Sequence, residues 1–175
     1  RLPANSERAW FRYHIKLLDF DAQSSGKLPG FSGLYSHTAR GCHPSQPGAP
    51  GWSARGLFGA AGTRGAPEGE IPIGTYLYHI DQPRACGESS FWPNASLRPG
   101  RWHCVEGFVL LNTPGQRDGQ VKGWLDGRQR YQRDGVAFRR PDETNVFVKE
   151  MWLDIYYGGK QPAPSTMDLL IDELV

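Results

Sequence analysis

The chain has no segment with a helical period, and its apolar residues instead alternate with polar ones over short stretches that end at turn signals. Residues 8–20 form the first such stretch. Pairs such as Pro114-Gly115, Asp118-Gly119 and Asp126-Gly127 separate several later ones, and pairs of this kind are typical of tight turns between strands. The further predicted strands lie near residues 52–60, 71–81, 101–113, 119–126, 128–133, 145–157 and 167–175.

Roughly eight strands without intervening helices predict an all-β fold, a two-sheet β-sandwich of the jelly-roll type. The 22 glycines and 14 prolines fit a chain with many turns. A length of 175 residues predicts one domain over 1–175. Residues 21–51 are predicted to be loop-rich. Pro44 to Gly51 and Arg84 to Pro99 are predicted surface loops, which often border binding sites.

Charge and hydropathy argue against two classes of partner. The net charge of +2 is too small to predict nucleic-acid binding, although it allows a locally basic cleft. No apolar run is long enough to cross a bilayer, so we expect no membrane partner. The chain starts at Arg1 rather than Met, which fits a removed leader as well as an arbitrary boundary.

Two predicted strands carry the residues best suited to chemistry. Side chains on a strand alternate faces, so Ser53 and Arg55 share one face, and so do Tyr76 and Tyr78. If both strands lie in one sheet, a guanidinium, a hydroxyl and two phenols line one cleft. Lys27, between two nearby glycines, would lie at its rim. Such a set is suited to holding an acidic sugar and moving a proton.

Each of these residues also has a purely structural interpretation. Arg55 on a central strand needs an anion, which an internal Asp or Glu would supply as well as a ligand does. Tyr76 and Tyr78 could simply pack against neighbouring strands. Lys27 could be a solvated side chain.

Histidines and carboxylates offer weaker candidates. His37 and His43 lie in the glycine-rich loop and can approach the cleft as substrate-binding residues. No HxH or HExxH pattern occurs, so we expect no metal site. Glu150 and Asp154 flank Trp152, an arrangement that suggests a glycosidase. However, four strand residues span about 13 Å, and glycosidase pairs need roughly 5 to 9.5 Å. We therefore expect Glu150 and Asp154 to bind sugar or a cation instead, and Trp152 to bind the substrate.

The three cysteines have no metal-binding spacing and permit one disulfide. We predict Cys42–Cys86, because both residues lie in glycine-rich segments near the proposed cleft. Cys104 lies within a predicted strand, where an apolar thiol fits. The pairing assumes an oxidising compartment.

Several motifs taken in order resemble the polysaccharide lyases of families 14 and 20, the alginate and glucuronan lyases. The resemblance covers most of the chain, although Ser36 to Pro50 departs from it. Its motifs are Gly26-Lys27-Leu28-Pro29-Gly30, Trp52-Ser53-Ala54-Arg55, Tyr76-Leu77-Tyr78, Gly100 to Glu106, Leu111 to Gly115, Gly123 to Gly127, Tyr156 to Gly159 and Met167 to Asp172.

The resemblance implies a β-jelly roll that cleaves alginate, polymannuronate or glucuronan by β-elimination, without a cofactor. It implies that Arg55, with Lys27, neutralises the sugar carboxylate and that one tyrosine acts as base and acid. Tyr78 is slightly favoured over Tyr76, and Arg55 and Lys27 are expected to lower the pKa of the tyrosine that acts as base, whichever of the two it is. Ser53 hydrogen-bonds the substrate. We expect a secreted monomer whose partner is an anionic polysaccharide. The alternatives are a non-catalytic carbohydrate-binding jelly roll and a hydrolase using Glu150.

Overall fold

The computed structural model describes residues 2–33, 39–158 and 162–175. No helix in these ranges is long and apolar enough to span a membrane. The strands found there are β1 Arg8–Leu17, β2 Gly26–Gly33, β3 Trp52–Phe58, β4 Ile71–Tyr78, β5 Glu88–Leu97, β6 Trp102–Leu110, β7 Gly119–Leu125, β8 Arg128–Val136, β9 Glu150–Trp152, β10 Tyr156–Tyr157 and β11 Leu169–Asp172.

The strands form two antiparallel sheets. Sheet A has the order β11-β1-β6-β7-β8, and sheet B has the order β10-β2-β3-β4-β5, with β9 also paired to β2. Non-consecutive strands such as β1 and β6 are neighbours, so connections pass between the sheets. The prediction of an all-β, two-sheet jelly roll is confirmed.

The core lies between the sheets and consists of two clusters of buried apolar side chains. One cluster contains Tyr13, Ile15 and Ile73, and the other contains Trp52 and Val109. Burying a large apolar side chain of this kind stabilises the fold by about 1.5–3 kcal/mol. Because side chains alternate between the two faces of a strand, the residues between the inward-facing ones lie on the outer face of each sheet.

Two strands were predicted to be loops, and those predictions were wrong. β2 lies within the predicted loop 21–51, and β5 lies within the predicted loop from Arg84 to Pro99. Their glycines, prolines and asparagine usually mark turns. In β5 the register with β4 shifts between Pro72 and Gly74, and this irregular stretch accommodates Pro93. The predicted strand at 145–157 is two short strands, β9 and β10.

A bulge in β2 sets the direction of its side chains. Leu28 pairs with Gly56 and Gly30 pairs with Arg55, so Pro29 is an extra residue without a partner on β3. Leu28 and Phe31 are therefore both buried in the core. Lys27, on the other side of the bulge, still shares the outer face of sheet B with Gly30.

Candidate active site

One row of residues crosses the outer face of sheet B from β9 to β5. Trp152 pairs with Gly30, Gly30 with Arg55, Arg55 with Tyr76, and Tyr76 with Ser89. Directly paired residues in an antiparallel sheet point to the same face. Gly30 has no side chain, so the guanidinium of Arg55 reaches across it to the Trp152 ring. The row brings the predicted Arg55 and Tyr76 together and adds Ser89, which lies on a strand that was predicted to be a loop.

A second row runs beside the first. Glu150 pairs with Ser32, Ser32 with Ser53, and Ser53 with Tyr78. The Ser32 hydroxyl donates a hydrogen bond to Glu150 Oε1 at 2.9 Å. Glu150 is thus held by its neighbour on β2 at the edge of the cluster.

Arg55 is almost completely buried, with 6% of its surface exposed. Its Nη1 donates to Asp154 Oδ2 at 2.5 Å. Its guanidinium carbon lies 4.8 Å from the Trp152 ring centroid and 5.4 Å from that of Tyr76. The internal carboxylate considered as the structural alternative is therefore present. The Nε of Arg55 is buried and has no hydrogen-bond partner among the described residues.

Lys27 lies over Tyr76, with Nζ 3.9 Å from the ring centroid. Burial lowers the pKa of Lys27 to about 8, with a further lowering from the Arg55 charge and an opposing effect of Asp154. Burial disfavours the charged form of a lysine, and a nearby cation has the same effect. Lys27 therefore exchanges its proton near neutral pH, which an ordinary lysine does not.

Tyr76 is half-buried, and its ring lies edge-on to Tyr78 with centroids 5.5 Å apart. Burial raises the pKa of Tyr76 to about 12, and a hydrogen bond with Tyr78 adds to the effect, while Arg55 only partly opposes it. For Tyr76, the sequence-based expectation of a lowered pKa is wrong. Loss of solvation outweighs the field of the cations, so Tyr76 keeps its proton at ordinary pH.

Tyr78 and Ser53 lie beneath the segment that follows residue 38. Tyr78 is 1% exposed, and its hydroxyl accepts a hydrogen bond from the Cys42 N–H at 2.9 Å. The Ser53 hydroxyl donates to the Ala39 carbonyl at 2.9 Å. In the structure a disulfide joins Cys42 to Cys86, so the covering segment is tied to the chain just before β5.

The other predicted substrate-binding residues are distributed differently. Trp152 belongs to the first row. His43 is exposed, and its described backbone bonds go to Ala39 and Arg40 rather than to the cluster. His37 lies outside the described residues. From the sequence, Asp154 is only a member of a carboxylate pair, and the need of Arg55 for an anion is the one signal that points to their contact.

The cluster combines a buried guanidinium, a lysine that deprotonates near pH 8 and a phenol that stays protonated. A guanidinium binds a carboxylate through charge-assisted hydrogen bonds. A neutral amine accepts a proton, and a neutral phenol donates one. The outer face of sheet B can thus hold an acid group and transfer a proton beside it.

The chain matches the polysaccharide lyase 14 family over residues 2–168. A comparison with curated protein sequences gives no match.

Solved structures share the fold. The alginate lyase Aly36B, in complex with alginate trisaccharide, has a TM-score of 0.81 and 22% identity, over 98% of this chain and 70% of that one. Alginate lyase vAL-1 from Chlorella virus has a TM-score of 0.80 and 18% identity, over 97% of this chain and 70% of that one. The endo-β-1,4-glucuronan lyase of the fungus Trichoderma reesei has a TM-score of 0.60 and 16% identity, over 99% of this chain and 69% of that one.

Proposed function

Because the chain belongs to the polysaccharide lyase 14 family, we propose that this lyase cleaves a polymer of uronic acid by β-elimination at the face of sheet B. The observation that carries the proposal is the buried Arg55 beside Lys27 and Tyr76. Alginate and glucuronan, the polymers named for relatives of known structure, are both polyuronates. A carboxylate on every sugar matches a site built around a guanidinium.

Arg55 acts on the carboxylate of the sugar that is cut. Removal of the C5 proton puts negative charge onto that carboxylate, and a positioned cation stabilises the charge as it develops. Asp154 binds Nη1 and keeps the guanidinium in place. The Arg55 Nε–H, which lacks a partner in the described part of the chain, indicates donor capacity that Asp154 does not use.

Lys27 is the base and Tyr76 is the acid. Neutral Lys27 takes the proton from C5, and the electron pair of that C–H bond forms the C4–C5 double bond. The C4–O4 bond breaks, and O4 leaves with the phenol proton of Tyr76. Lys27, which lies over the Tyr76 ring, then returns a proton to the phenolate oxygen of Tyr76, and both groups regain their starting states. The pKa values of about 8 and about 12 support this division of roles.

Tyr76 replaces Tyr78 as the favoured phenol because Tyr78 is buried and already accepts the Cys42 N–H. Trp152 is the proposed surface for the sugar ring, since it lies in the same row. Ser53 already donates to Ala39, so its proposed role is to support the covering segment. The Cys42–Cys86 bond supports a secreted enzyme, because disulfides persist in oxidising compartments.

The proposal is tested by incubating the protein separately with polymannuronate, polyguluronate and glucuronan. A lyase produces chain ends with a double bond that absorbs ultraviolet light, together with one new reducing end per cut. New reducing ends without that absorbance would identify a hydrolase. Binding without any product would identify a non-catalytic module.

A further inference from the structure

The outer face of sheet A carries exposed aromatic rings. Trp10 on β1 pairs with Phe108 on β6, and their ring centroids are 4.3 Å apart. Trp124 on β7 lies 5.3 Å from Trp10, so three neighbouring strands contribute to one aromatic surface. The outer face of an antiparallel sheet is normally polar. Trp10, with 57% of its surface exposed, departs from that pattern.

Cations surround the aromatic surface. Arg8 and Arg12 lie two residues either side of Trp10 on β1 and are exposed. Lys122 pairs with Phe108, and its Nζ lies 5.6 Å from that ring centroid. None of these three cations forms an ion pair with a described residue. We call Trp10, Phe108, Trp124, Arg8, Arg12 and Lys122 the tryptophan face.

Cations outnumber carboxylates on the tryptophan face. Glu106, which pairs in register with both Arg12 and Trp124, is the one carboxylate among the register partners of its six residues. Asp172 and Glu173 lie beyond Arg12, where both neighbour His14. Three cations against one acid leave the face with an excess of positive charge, which attracts an anion. Cross-strand stacking alone would explain three rings in contact, but it explains neither the exposure of Trp10 nor the excess of cations beside the rings.

We propose that the tryptophan face is a second, non-catalytic binding site for a polyuronate chain. The C–H faces of pyranose rings pack on flat aromatic surfaces, and carboxylates along the chain meet Arg8, Arg12 and Lys122. The identity of the polymer rests on the proposed function. The site lies on the opposite sheet from Arg55, so it holds the polymer near the enzyme without entering the catalytic cluster.

Affinity electrophoresis tests the proposal, with sodium alginate dissolved in the gel at pH 6 and dextran as the uncharged comparison. Trp10→Ala and Lys122→Ala should each bind alginate about fivefold more weakly than the wild type, as expected for loss of one important contact. Two matched controls should bind normally. Trp102→Ala removes an exposed tryptophan on β6, six residues before Phe108. Arg98→Ala removes an exposed arginine from the segment between β5 and β6.

A second measurement separates this site from the catalytic cluster. The rate of unsaturated product formation on a trisaccharide should be unchanged in all four variants, while the rate on long alginate at low concentration should fall in Trp10→Ala and Lys122→Ala. Equal retardation of all variants, or retardation equally strong in dextran, would overturn the second site.

Product without retardation overturns the second site and leaves the lyase proposal intact. Retardation that depends on Trp10 and Lys122, without any product, supports the second site and overturns the lyase proposal. A dimer that dissociates in Trp10→Ala would show that a second copy covers the face, and that result also overturns the inference.

Discussion

The pH dependence of turnover is the sharpest test of Lys27 as the base. Its pKa of about 8, against an ordinary value of 10.5, means that about one molecule in ten carries a neutral Lys27 at pH 7. With the ordinary pKa the neutral fraction would be about one in 3,000. Because the neutral amine is the active form and this pKa is that of the free protein, kcat/KM should be lost as the pH falls through about 8 and should rise about tenfold between pH 7 and the plateau above pH 8.

Two substitutions change this profile in defined ways. Lys27→Arg keeps the charge but stays protonated, so we expect turnover to fall by about 100-fold or more at every pH. Asp154→Asn removes the carboxylate that raises the pKa of Lys27, so the rising limb should move to lower pH. Asp172→Asn on β11 is the matched control, because this exposed carboxylate lies on sheet A rather than sheet B. The rising limb of the pH profile should not move in that variant.

The assay is the initial rate of ultraviolet absorbance at polymer concentrations well below KM, which gives kcat/KM, measured across pH on variants shown by circular dichroism to be folded. If Tyr76 were the base instead, the limb would lie near its pKa of about 12. A limb in that range, an unshifted limb in Asp154→Asn, or substantial activity in Lys27→Arg would refute the assignment of Lys27.

Four further substitutions have defined outcomes. Arg55→Ala should lower kcat/KM by about 100- to 1,000-fold on polymer, as for loss of a preorganised donor, and near-normal kinetics in the folded variant would remove its role. Tyr76→Phe should fold and bind polymer but form almost no unsaturated product. Tyr78→Phe should instead lose about 1 kcal/mol of unfolding free energy, because the Cys42 N–H loses its acceptor. An equal loss of activity in both variants would contradict the assignment of Tyr76, rather than Tyr78, as the acid. Cys42→Ser should lower the unfolding free energy by up to about 4 kcal/mol, since the bridge closes a separation of 44 residues, and non-reducing peptide maps that pair Cys104 would contradict the bridge.

The sequence predicts those parts of the fold that depend on local alternation. β1 and β7 alternate between buried and more exposed residues, whereas β3 and β4 are buried almost throughout, and the predicted positions of all four agree with the structure. The same two-residue period predicts that Arg55 shares a face with Ser53, and the pairing of β3 with β4 adds the tyrosines. These features require only one strand and its nearest neighbour.

The remaining features depend on contacts that no local pattern contains. Asp154 reaches Arg55 across 99 residues of sequence. The pKa of Tyr76 was expected to fall because cations are near, but burial determines its direction, and burial depends on the packing of the whole sheet. β5 is not predicted from the sequence because it contains Pro93, and a strand tolerates proline only where its hydrogen-bond ladder is interrupted.

The extra residue in β2 makes the proposed active site sensitive to chain length. Side chains alternate with a period of two, so removing Pro29 would turn every residue on one side of it to the opposite face. With Gly30 and the residues after it held by β9 and β3, Lys27 would turn towards the core and Leu28 towards the outer face. Replacing Pro29 by another residue leaves that phase intact. Among natural or designed variants of this chain, substitutions at Pro29 are therefore compatible with catalysis by Lys27, whereas a one-residue deletion there is not.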